Sequence, residues 1–117
     1  MQGFTIRTVG FVGALVLLAG CGKFGGSASL AEAGKEQWPM INRYCTDCHN
    51  AAELAGGVNF EKIGPHNVAE NAETLEMAAR KLRSHAMPPP KEPRPAEPQL
   101  TAFVTWLEAS LDEAASS

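Results

Sequence analysis

Apolar residues recur at helical spacing in three stretches of this 117-residue chain. Leu75, Ala78, Ala79 and Leu82 fall at i, i+3, i+4 and i+7, which predicts a helix with one buried face. Asn71 stands at its N-cap position. Glu70, Glu73 and Glu76 lie near its start and Arg80, Lys81 and Arg83 near its end, the charge order that the helix dipole favours. Leu100, Phe103, Val104, Leu107 and Leu111 form a second stripe, with Trp106 on its flank, in a helix that starts near Glu97 or Pro98. Trp38, Ile41 and Tyr44 mark a shorter helix over 37–44, whose first turn tolerates Pro39. No run alternates with period two. The pattern predicts an all-α domain without internal repeats.

Two segments break the periodicity. Residues 50–65 hold Gly56-Gly57 and Gly64-Pro65 and read as a loop. Pro88, Pro89, Pro90, Pro93, Pro95 and Pro98 are six of the eight prolines, so residues 88–98 form a stiff connection that loses little entropy on folding.

The start of the chain has another character. Val9–Ala19 is an apolar run preceded by Arg7 and too short for a membrane-spanning helix, which needs about 20 residues. It ends in Leu18-Ala19-Gly20-Cys21, which resembles the lipobox of bacterial lipoproteins. The expectation is a signal peptide over 1–20, cleavage before Cys21 and acylation of Cys21, against the alternative of an ordinary secretory signal with a stray cysteine. A Gly-, Ser- and Ala-rich flexible tether over 21–34 would then lead to one small domain over 35–117. The location implied is the bacterial cell envelope, lipid-anchored and facing the periplasm or extracytoplasmic space. The full chain carries a formal charge of −3. Removing Arg7 leaves nine basic against thirteen acidic groups, a formal −4, and nothing in that balance points to nucleic acid.

Cys45-Thr46-Asp47-Cys48-His49 is the stretch that carries chemistry. C-x-x-C-H is the attachment pattern of a c-type haem. Each thiol must reach one vinyl group of the same macrocycle while the adjacent imidazole rises to the iron, and two intervening residues allow all three. A thiol redox pair would want a surrounding βαβ pattern, which is missing. A structural zinc site would want four N or S ligands, and only His66 and His85 remain to complete one. The three cysteines divide without remainder: Cys45 and Cys48 to one haem c, Cys21 to lipid. A chain this small with a loop-rich middle is expected to use haem as its central packing element, and to be largely disordered without it.

Met87 is the first candidate for the iron's other face. It follows a helix and opens the proline stretch, and a thioether suits ferrous iron while raising the potential relative to two histidines. Met40, Met77 and His85 are the alternatives. His85 is the most serious, two residues away at the end of the same helix; His66 reads as a surface or haem-edge residue.

The order helix, C-x-x-C-H, loop, helix, Met-Pro-Pro and aromatic-bearing final helix resembles class I cytochromes c. Tyr44–Asn50, Gly56-Gly57, Arg80–Arg83, Met87-Pro88-Pro89 and Phe103–Leu107 look more particularly like the planctomycete-type cytochrome c domain, over roughly Trp38 to Ala114. That resemblance implies a small helical domain around one covalent haem, with Cys45 and Cys48 as thioether sites, His49 as proximal and Met87 as distal ligand. In that family the domain often begins a much larger protein. This chain ends at Ser117, so the expected role is a monomeric electron carrier, not an enzyme, serving separate redox proteins. Arg80, Lys81, Arg83, Lys91 and Arg94 would steer an acidic partner, cap the helix dipole or meet a haem propionate. The alternative function is a haem-based sensor or gas-binding module in which Met87 is displaced by a diatomic ligand. A peroxidase would need an open distal face or a second haem.

Overall fold

The computed structural model describes residues 26–117; the expected signal peptide and Cys21 lie outside the described residues. Four α-helices form the domain: α1 (Gly26–Gln37), α2 (Pro39–Tyr44), α3 (Ala72–Arg83) and α4 (Glu97–Ala115). Single 3-10 turns occupy Ala55–Gly57 and Ala69–Asn71. Among the described residues there is no strand, and the fold is all-α. No helix among them is long and apolar enough to cross a membrane.

Helix α4 is the spine, with α1 and α3 packed along it. Its stripe of Leu100, Phe103, Val104, Leu107 and Leu111 is buried, as are Leu75, Ala79 and Leu82 of α3. Trp106 departs from expectation. It is buried rather than flanking, because α1 covers that side of α4. Trp38, Phe103 and Trp106 pack as a ring cluster with centroids 5.7–6.2 Å apart. The Trp106 indole N–H, which needs a partner when buried, donates to the Leu30 carbonyl at 2.8 Å.

That bond belongs to the largest correction. Residues 26–34, expected as flexible tether, are the first turns of α1. Gly34 lets the helix approach so closely that a Cβ there would lie 2.5 Å from Pro65 Cβ and 2.7 Å from Trp106 Cζ2. Tertiary packing, not composition, decides this segment. Asn71 does hold the N-cap position of α3, but its side chain makes no capping bond; its amide donates to the Asn67 carbonyl at 2.9 Å. At the other end of α3, Arg83 makes a bidentate pair with Glu108 of α4. The hydrogen bond from Arg83, with its charge, holds the Glu108 carboxyl below its usual range.

Candidate functional site

Helix α2 delivers the chain to Cys45, and a tight turn follows. The amides of Cys48 and His49 both donate to the Cys45 carbonyl, at 3.2 and 2.9 Å. Asn50 locks the turn from below. Its amide donates to the carbonyls of Thr46 and Asp47, and its side-chain oxygen accepts from the amides of Ala52 and Glu53, all at 2.9 Å. This is the Asx chemistry that makes Asn a turn former.

The loop that follows returns to His49. Leu54, Gly56 and Gly57 all take positive φ, +46°, +61° and +75°, and carry the Ala55 carbonyl to within 2.8 Å of His49 Nδ1. A carbonyl only accepts, so Nδ1 carries a hydrogen, and in the neutral ring the lone pair is then on Nε2. The Phe60 ring meets the imidazole edge-on at 5.5 Å, and the Phe60 amide donates to the His49 carbonyl at 2.9 Å. The imidazole is thus fixed in tautomer and in plane, as a metal-ligating histidine requires.

Two adjoining cavities open beside it. One, of about 260 Å³, is mainly apolar, with Ile41, Val58, Phe60 and Leu82 among its walls and Lys81 the one ionisable side chain besides Cys45 and His49. The other, of about 340 Å³, is bordered by Cys48, Arg43, Pro88 and Pro93. Cys45, His49, Gly56 and Met87 border both. Together the cavities reach the size range of cofactor sites, roughly 300–1,000 Å³. The structure therefore brings the four sequence-selected residues to one place. Two thiols, an imidazole with a free Nε2, a thioether and apolar walls form a donor set that fits a covalently held haem.

The other candidates lie elsewhere. His85 is exposed, 4.0 Å from Glu97, and borders neither cavity. His66 is exposed on a different groove, and Met40 is buried in the core. Met77 is exposed yet borders the smaller cavity. No three His, Cys, Asp or Glu side chains converge as a metal cluster among the described residues, so the ligand set of a structural zinc site is not assembled there.

The basic cluster is less uniform than its sequence suggests. Arg83 is paired with Glu108, and Arg80 lies 3.8 Å from Glu76. The Arg94 guanidinium donates to the carbonyls of His85 and Pro88, at 3.0 and 2.5 Å. That contact, the Ala55 carbonyl and the Phe60 edge escaped sequence reasoning. A lone aromatic residue in a glycine-containing loop is the one available signal, for Phe60. Comparison with protein-family models, curated proteins and solved structures finds no match to this chain.

Proposed function

We propose that this chain is a monohaem c-type cytochrome, an electron carrier rather than an enzyme. One observation carries the reading: Cys45, His49 and Met87 border the same two cavities, Cys48 borders one of them, and the Ala55 carbonyl engages Nδ1 of His49, which leaves Nε2 as the nitrogen not used in that bond. Haem, when bound, supplies one-electron iron chemistry. The chain's own residues do the rest. Cys45 and Cys48 provide the thioether sulfurs, His49 offers Nε2, and Met87 offers a soft sulfur that favours the ferrous state. Ile41, Val58, Phe60 and Leu82 exclude water from the apolar side. His49 and Met87 would both be available to hold the iron, and electrons would pass to and from separate redox proteins.

The test is covalent attachment and ligation together. One haem per chain is expected to survive acidified organic extraction, and Cys45→Ser or Cys48→Ser to lower the holoprotein yield. Met87→Ala is expected to erase the near-infrared sulfur-to-iron band, lower the potential and open the iron to carbon monoxide. Haem released freely from the unaltered protein defeats the reading. Rapid carbon monoxide binding by the unaltered ferrous protein favours the sensor instead.

The lipobox-like motif supports a second part of the proposal: acylation at Cys21 holds the domain at the envelope, more than one acyl chain being needed for stable residence. Cys21→Ser is expected to shift the protein from the membrane to the soluble fraction; unchanged partition and mass would refute it.

A further inference from the structure

The loop that presents Met87 does not hold itself. Pro88, Pro89 and Pro90 have no N–H to donate, so its backbone has few bonds of its own. On the helix side, the amides of Ala86 and Met87 donate to the Lys81 carbonyl at 2.9 and 3.2 Å. Beyond Met87 there is the Glu92 amide on the Pro89 carbonyl at 3.1 Å. His85 and Lys91, neither of them glycine, sit at φ +55° and +83° on either side of the segment. Left-handed backbone is unfavourable at residues with a Cβ, so the local sequence does not favour this shape. A contact other than these backbone bonds must select it.

We propose that Arg94 is that positioning residue, a clasp that holds Met87 against the cavity; the assignment rests on the haem reading above. One terminal nitrogen of its guanidinium donates to the carbonyl two residues before Met87 and to the carbonyl directly after it, at 3.0 and 2.5 Å. The charged donor closes the loop across the methionine, where prolines leave acceptors but no donors. Arg94 is exposed, and one of its nitrogens is committed to these two carbonyls. When the clasp is removed, Met87 is presented less firmly and yields more readily to a competing ligand.

The experiment titrates the ferric holoprotein with imidazole at one fixed pH and follows the shift of the visible haem absorption, which reports binding whether or not the sulfur-to-iron band is present. Imidazole is expected to bind about tenfold more tightly to Arg94→Ala, the effect of losing two hydrogen bonds of ordinary net strength. Arg94→Lys keeps the charge without the planar fork and should fall between. It also carries the test if Arg94→Ala yields no holoprotein. Arg80→Ala removes a nearby surface cation and should match the unaltered protein. An unchanged imidazole affinity in the Arg94 variants, or an equal shift in Arg80→Ala, overturns the clasp. If Met87→Ala tightens imidazole binding while the Arg94 variants do not, the ligand reading stands and the clasp alone fails. If Met87→Ala changes nothing, both fail.

Discussion

Cys45 and Cys48 stand two residues apart in different surroundings. Cys45 is half-buried where the two cavities meet, whereas Cys48 is exposed. Burial first, and the neighbouring Cys48 second, push the Cys45 thiol up from 9.0 to about 11. The thiolate is the reactive form. In haem-free protein, iodoacetamide is therefore expected to modify Cys48 first, with Cys45 lagging until the pH nears 11. Peptide-resolved mass spectrometry would follow this; equal rates near neutral pH would contradict it. The same shift has a thermodynamic sign. The folded chain keeps the Cys45 proton to higher pH than the unfolded chain does, so its contribution to stability is full below pH 9 and falls as pH rises toward about 11. Denaturant midpoints of the haem-free protein should drop across that window, and Cys45→Ala should remove this part of the drop.

Among the elements, α1 is the one whose sequence conceals it. Helices α3 and α4 are legible because their apolar residues repeat at helical spacing and, in α3, charges follow the dipole. Among the described side chains of α1, the hydrophobic ones packed against the core are Leu30 and Ala33, amid Gly, Ser and charged residues, so its pattern carries little signal. What holds it comes from distant parts of the chain: the Trp106 indole on Leu30, and Pro65 and Trp106 against Gly34. The candidate site divides in the same way. Cys45, Cys48, His49 and Met87 are legible because their chemistry fixes spacing and residue type. The Ala55 carbonyl, the edge of Phe60 and the Arg94 contacts with the His85 and Pro88 carbonyls depend on loop paths, and a cation gives no sign of which carbonyls it will meet. Gly34 offers a direct test. Alanine favours a helix over glycine by about 1 kcal/mol. The required Cβ would meet a proline ring and an indole, neither able to swing aside, and overpacking of this kind costs roughly 1–3 kcal/mol. Gly34→Ala should therefore lower the urea midpoint. A raised midpoint would mean that α1 is free to move off α4.

At the scale of the whole domain, the buried cluster changes the expectation that the chain is largely disordered without haem. Its members come mainly from α2, α3 and α4, with the ring cluster placed between α1, the start of α2 and α4. The cavities touch the buried cluster at Ile41, Phe60 and Leu82 and take one wall from α3, but the rest of their lining is largely the turn after α2, the glycine loop and the proline segment. A Cys45→Ala, Cys48→Ala double variant should keep protected amides in α4 while residues 46–60 and 85–95 exchange rapidly. Hydrogen exchange resolved by peptide would show it, and α4 exchanging as fast as the loops would restore haem to the centre of the core. The ring cluster also determines what light can report. The chain has two tryptophans, and both belong to it, their ring centroids 6.2 Å apart and their planes at 79°. Tryptophan emission therefore samples one junction, where α1 docks on α4. Visible absorption would follow events at Met87. A single sample thus carries two separate optical gauges, and a lag between them on heating would reveal which end of the domain lets go first.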